Sequence, residues 1–382
     1  MKNRSSIVLM AVVTVLVGLN LRPIMASVGP LLDVLQHDLH LSSTEASLLN
    51  TFPVVMMGLL ALAGPWLQTS IGEKKGVALG MLLIAGASAY RAVIDTSLPL
   101  IATAAIGGIG IAITQALMPA FLKRMYPDSA GTLMGLFTTG IMGGAALASA
   151  TAAPGSDLIG WRATLGAAAI PAIAALCLWI SCTRFHRIQS SGASLPFHNP
   201  RAWFLLIFFG IGTAAYTLVL AWLPPYYVEQ GWSSAHAGYL LGALTITEVV
   251  AGLLVSSLIH RFPDRRAPLA VVVLLVLLGL ICLIIAPAPL AIPATLLLGL
   301  GIGALFPLSL IVTLDHARTP GEAGSLLAFV QGGGYLIAAT MPFIAGMLRD
   351  QLSSLSMSWA VMAVGIVILL IMCLRLSPQK EI

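Results

Sequence analysis

The first apolar run of this chain has to cross a membrane with an arginine inside it. From Ile7 to Arg22 is fifteen residues, roughly 22 Å of helix, while a hydrocarbon core is about 30 Å thick. Arg22 therefore lies beyond the midpoint, where a guanidinium costs at least about 2.5 kcal/mol and cannot escape by losing its proton. Gly18, Ala26 and Gly29 share its helical face. Such small residues let other helices approach closely, so Arg22 is expected to face protein and not lipid. Two readings follow. One is an anion site, favoured because an ionisable group at membrane depth is functional by default. The other is a structural arginine bonded to the carbonyls of a neighbouring helix.

The rest of the chain has the same character. Of its 382 residues 58% are hydrophobic and only 9% charged, against about 25% charged in a soluble domain, so an all-α polytopic membrane protein is expected. The formal net charge is +5, but the basic residues are scattered between apolar spans and report topology, not nucleic-acid binding. Cys177, Cys182, Cys282 and Cys373 have no metal-ligand spacing and read as packing or lipid-facing residues. No histidine accompanies a nucleophile motif, and no phosphate-binding loop of the Gly-x-x-x-x-Gly-Lys type occurs. The chain is expected not to be an enzyme, and to need no cofactor or metal. Lys2, Arg4 and Ala26-Ser27-Val28 imitate a secretory signal, but an arginine within its apolar core argues against cleavage.

Twelve spans can be drawn: roughly 7–30, 44–67, 76–94, 98–122, 129–152 and 162–183, then 202–227, 234–259, 268–286, 290–314, 323–347 and 357–375. Each is long enough to cross as a helix. Fifteen of the nineteen Lys and Arg residues fall on one side, from Lys2 through Lys74, Lys75, Lys123 and Arg124 to Lys380. The positive-inside rule places that side, with both termini, in the cytoplasm. A hydrophilic stretch at 184–201 divides an N-terminal six-helix bundle, 1–183, from a C-terminal one, 202–382.

The halves resemble each other. At an offset of 193, Gly108-Ile109-Gly110 falls on Gly301-Ile302-Gly303, and Pro127-x-x-Ala130-Gly131-Thr132 on Pro320-x-x-Ala323-Gly324-Ser325. At 191, Ser42-Ser43-x-x-Ala46 falls on Ser233-Ser234-x-x-Ala237. Duplicated six-span halves are a transporter architecture with the substrate near midplane. The glycine clusters lie inside apolar spans and follow no strand, so they read as close helix packing and not dinucleotide loops. Pro53, Pro119, Pro307 and Pro342 are expected to bend spans that line a cavity or gate.

Glu248 is the acid placed deep in a span. It can load and release a proton as a cavity opens to each side, pair with an arginine, or remain protonated and hydrogen-bonded. Arg91 is expected near a surface, paired with Asp95. Asn20, Gln115, Tyr216, Gln331 and Tyr335 are the neutral polar residues best placed to shape a pocket with Arg22, and Tyr216 holds nearly the position of Arg22 in the second half.

The chain resembles the cyanate/2-nitroimidazole porter family of the major facilitator superfamily. The residues carrying the resemblance are Gly18-Leu19-Asn20-Leu21-Arg22-Pro23, Pro53-Val54-Val55-x-Met57-Gly58, Gln115-Ala116-x-Met118-Pro119, Ala221-Trp222-Leu223-Pro224, Gly303-Ala304-Leu305-Phe306-Pro307 and Phe329-x-Gln331-Gly332. The resemblance implies a twelve-helix fold working by alternating access in a bacterial inner membrane. It implies a cavity lined by the first, fourth, seventh and tenth helices, and a small anion such as cyanate as substrate; coupling to protons is an expectation that rests on the burial of Glu248 alone. A monomer in the lipid bilayer, with no nucleic-acid partner, is expected. Export of neutral nitroaromatic compounds is the alternative within transport, and a non-transporting membrane sensor the alternative outside it. One loop departs from the superfamily pattern: Gly64 to Lys75 lacks the usual Asp-Arg, so the gating salt bridges of that motif are not expected.

Overall fold

The structure is a computed structural model that describes residues 4–183, 195–317 and 320–376. The basic residues Lys2, Arg184, Arg187, Arg318 and Lys380, and most of the stretch expected to join the two halves, lie outside the described residues. Among those described, twelve helical spans are long and apolar enough to cross a membrane. They follow the expected boundaries to within a few residues, except that the fifth runs to Ile159 and the eleventh to Leu352.

The first half contains α1 (Arg4–Leu19), α2 (Pro23–Ala26), α3 (Val28–Leu39), α4 (Ser43–Leu62), α5 (Gly64–Ser70), α6 (Glu73–Tyr90), α7 (Ser97–Met125), α8 (Ala130–Ile159), α9 (Trp161–Ala167) and α10 (Ala169–Cys182). The second contains α11 (Pro200–Glu229), α12 (Ser234–Leu258), α13 (Arg266–Ile285), α14 (Ala291–Asp315), α15 (Pro320–Leu352) and α16 (Ser356–Cys373). Helices are obligatory here because lipid offers backbone groups no partners. The first span is broken: α1 stops at Leu19, the chain turns through Asn20-Leu21-Arg22, and Pro23 restarts the helix as its first residue, a position where its missing N–H costs nothing.

Glycine sets how closely the helices pack. A β-carbon on Gly18 would come within 2.6 Å of the Phe137 carbonyl oxygen on α8, and one on Gly144 within 2.1 Å of the Leu19 carbonyl oxygen. Gly18 thus meets α8, while Gly29, expected on the same face, lies past the break and meets α11. The duplicated clusters do equivalent work. Gly108 abuts Pro53 of α4 and Gly299 abuts Thr247 of α12; Gly110 meets α6 and Gly301 meets α13. These packing partners pair the glycines at an offset of 191 and not 193, so the register of the repeat shifts by two residues before the Pro127 and Pro320 turns.

The halves meet along α4 and α15, and along α8 and α12. At the end remote from Lys74, Lys75, Lys123 and Arg124, they also lock together. Asp350 of α15 caps the start of α4, its carboxylate accepting from the Ser43 and Thr44 backbone N–H groups at 2.8 Å each and from the Thr44 hydroxyl at 2.6 Å. Beside it, Arg349 pairs with Glu229 at 2.8 Å and donates to Gln36 of α3 at 3.2 Å. At the basic end the loop lacking Asp-Arg carries a different pair. The carboxylate of Glu73, itself buried, accepts from Arg124 Nη2 at 2.5 Å and from its Nε at 3.1 Å. That pair joins α6 to α7 within one half.

Gly303 leaves no room for a side chain, since a β-carbon there would lie 2.4 Å from Glu248 backbone atoms, whereas Gly131 has open space. Gly303→Val is therefore expected to destabilise the purified protein by at least about 1–3 kcal/mol, and Gly131→Ala to be neutral. Thermal unfolding in detergent checks both.

Candidate substrate cavity

Between the halves lies a cavity of about 490 Å³. It runs from Arg22 toward the basic end, past Gln115 and Pro119 of α7, Met134 of α8, Glu248 and Ser256 of α12, and Phe306 and Leu310 of α14. Toward the opposite end Gly29 of α3 packs against Pro224 and the Ala221 carbonyl of α11, and Asp350 caps α4 beyond it. The cavity is thus closed at one end and continues toward the other.

The helix break delivers Arg22 to the closed end. Its backbone is the N-cap of α2, and its side chain, 4% exposed, reaches between Met57 of α4 and Tyr216 of α11. Nη1 lies 3.4 Å from the Met57 sulfur and 3.9 Å from that of Met25, Nε has no partner, and the guanidinium carbon is 5.6 Å from the centroid of the Tyr216 ring. Thioethers are weak acceptors and an aromatic face gives a modest cation–π attraction. Among the described residues no carboxylate lies within salt-bridge distance of Arg22. Its charge is cradled but not neutralised, which leaves it able to bind a small anion with a charge-assisted hydrogen bond.

Glu248 lines the same cavity, within electrostatic reach of Arg22. It is 4% exposed, and neither carboxyl oxygen has a hydrogen-bond partner. Gln115, Gln331, Tyr216 and Tyr335 join the lining, with the Tyr216 hydroxyl and the Gln115 carbonyl oxygen unpartnered. Among the described lining residues, Arg22 and Glu248 are the charged ones.

Two expectations fail on geometry. Asn20 is not in this cavity: it precedes Arg22 by two residues in the turn and faces away, its amide donating to the carbonyls of Leu16 at 2.7 Å and Pro171 at 3.2 Å. Arg91 is not an interfacial partner of Asp95. It is 1% exposed and bonds to α2 and α7, while Asp95 pairs with Arg162 at 3.3 Å. Sequence reasoning passed over the aromatic wall of Phe208, Phe209 and Phe306, because phenylalanine in a span gives no sign of whether it faces lipid or a cavity. Met57 did carry a signal, in Pro53-Val54-Val55-x-Met57-Gly58, but nothing there marks it as an acceptor for Arg22.

Twelve spans in two packed halves, with a buried charge in a cavity between them, define a membrane transporter. The comparisons agree. Residues 8–339 match the family model of the Major Facilitator Superfamily. The cyanate transport protein CynX of Escherichia coli is 38% identical over 97% of this chain and 98% of its own length. The 2-nitroimidazole transporter of the same bacterium is 32% identical over 96% of this chain and 93% of its own. Among solved structures, a D-xylose-proton symporter superposes with a TM-score of 0.82 at 15% identity, covering 98% of this chain and all of that one. The chain belongs to the major facilitator superfamily, and it is a multi-pass membrane protein related to the cyanate and 2-nitroimidazole transporters.

The closed end should respond to loss of its cap. Asp350→Ala removes the acceptor for two backbone N–H groups and a hydroxyl, about 1 kcal/mol, or about fivefold in the ratio of open to closed forms. Spin labels on Val34→Cys and Met357→Cys, both exposed near that end, are expected to show a larger long-distance population in this variant by double electron–electron resonance.

Proposed function

We propose that the protein carries a small monovalent anion, cyanate first, by alternating access across the inner membrane of a bacterium. In this reading both termini and the basic loops are cytoplasmic, so the cavity opens inward in this structure. Residues 1–183 and 202–382 are the two moving bundles, joined by a linker at 184–201. The observation that carries the reading is Arg22, held at a helix break at the closed end of the cavity with no carboxylate among the described residues within salt-bridge distance. The anion accepts from the guanidinium, while Gln115, Tyr216, Gln331 and Tyr335 offer polar and aromatic surface around it. The kinship with a protein named for cyanate transport supports the choice of anion.

Glu248 supplies coupling. An ionised carboxylate in this cavity competes with the substrate for the field of Arg22. Protonated, it leaves the guanidinium to the anion, so the proton and the anion load together and leave together. The sign is that of symport: an inward proton gradient drives inward anion movement.

A second reading, carriage of neutral nitroaromatic compounds, draws on the aromatic wall of Phe208, Phe209 and Phe306 and on the 2-nitroimidazole transporter relative. Arg22→Gln separates the two in proteoliposomes. For the anion reading it is expected to lower cyanate uptake at least about tenfold, the equivalent of one charge-assisted hydrogen bond; undiminished uptake by a folded variant would falsify the anion site. Glu248→Gln is expected to keep cyanate exchange and to lose its acceleration by an imposed pH gradient.

A further inference from the structure

A second guanidinium is buried in the first half. Arg91 opens the 3-10 turn that follows α6, and it is 1% exposed. Its Nε donates to the Thr103 hydroxyl on α7 at 2.9 Å, and that hydroxyl donates onward to the Leu100 carbonyl at 2.6 Å. Its Nη1 donates to the carbonyl oxygen of Ile24 in α2 at 2.9 Å, while Nη2 is sealed from solvent without a partner. Among the described residues no acid lies within salt-bridge distance. A buried charge held only by a hydroxyl and a carbonyl is a poor source of stability, since apolar replacements of similar volume are often neutral or better.

What Arg91 holds is the segment that presents Arg22. Ile24 lies two residues past Arg22, in a helix of only four residues that begins at Pro23. This short piece runs on through Ser27, whose helical backbone N–H and hydroxyl both bond the Pro23 carbonyl, into α3; its loose end is the turn at Asn20-Leu21, immediately before Arg22. The bond from Arg91 ties it to α6 and α7 on the side away from the cavity.

We infer that Arg91 is a positioning residue for substrate binding: by bonding the Ile24 carbonyl it fixes α2, and thereby the direction in which Arg22 enters the cavity. This rests on Arg22 being the anion's ligand, but part of its test does not. Lysine at 91 reaches one acceptor in place of two, and an apolar residue of similar length reaches none.

The measurement is cyanate uptake by proteoliposomes carrying Arg91→Met, Arg91→Lys or Thr103→Val, all taken through the same folding check. Arg91→Met is expected to raise KM about tenfold with Vmax held within about twofold, the cost of one bond to a charged group. Arg91→Lys is expected to recover part of the loss. Thr103→Val, which keeps the charge and the Ile24 bond, is expected to raise KM less than Arg91→Met. An unchanged KM, or a fall in Vmax alone, overturns the inference, and Thr103→Val and Arg91→Lys carry it if Arg91→Met does not fold. The second arm needs no substrate. In a background without the four native cysteines, the Arg22→Cys variant is labelled with an anionic methanethiosulfonate, with and without Arg91→Met. A labelling rate changed severalfold supports control of position 22 by Arg91, and an identical rate refutes it. Failure of the anion reading shows separately, as undiminished cyanate uptake by Arg22→Gln.

Discussion

A guanidinium keeps its proton even where that is costly, and much of this fold follows from having one at midplane. A carboxylate or a lysine at such depth can turn neutral; Arg22 cannot. The protein does not neutralise it with an ion pair, which would occupy the site. It breaks the first span to aim the side chain inward, surrounds it with two thioethers and a tyrosine face, and leaves it at the blind end of a cavity. Each contact is weak, so in the proposed function an arriving anion would displace little and use the attraction the protein leaves unused.

That economy in polar contacts extends to how the halves meet. Their shared surfaces rest on glycines whose missing β-carbons let backbones touch, as where Gly58 lies against the Gly332 carbonyl and Gly346 against that of Ser43. Among the described residues, polar bonds between the halves concentrate where α3 and α4 approach the end of α15, as the Asp350 cap and the bond from Arg349 to Gln36. Packing of small residues makes a smooth seam, and in the proposed cycle a few polar bonds at the rim bias whether it stays shut. Changes that enlarge a seam glycine are then expected to act on folding, and changes that remove a rim bond on the balance between open forms.

The sequence carried most of this architecture because the constraint behind it is one-dimensional. Apolar length specifies a span, and the twelve spans follow from it. Duplication was legible too, although its register was not: the clusters align by identity at 193 and by packing partner at 191, since identity alone cannot tell which neighbouring helix a glycine faces. Arg22, Gln115, Tyr216, Gln331, Tyr335 and Glu248 converge on one cavity because each lies deep in a span and faces the other half. Asn20 and Arg91 show what depth leaves out. Asn20 is as deep as Arg22, but the turn that redirects Arg22 also carries Asn20 to the far side of the helix, where it bonds Pro171. Arg91, counted by residues along a straight helix, comes out at the surface. It is in fact covered, because the helix tightens into a 3-10 turn there and α2 lies across it.

The cap on α4 has a consequence for the direction of traffic. Ser42 and Glu45 form a capping box of their own at the same terminus, with Ser42 accepting from the Glu45 N–H and Glu45 accepting from that of Ser42. When Asp350 withdraws, the helix therefore keeps its start, and the Ser43 and Thr44 N–H groups pass to water at the protein's edge. Water makes up most of what the helix loses, which keeps the net worth of the cap to about 1 kcal/mol. In the proposed cycle a latch that weak biases the closed end without locking it, and solutes binding from either side can outweigh it.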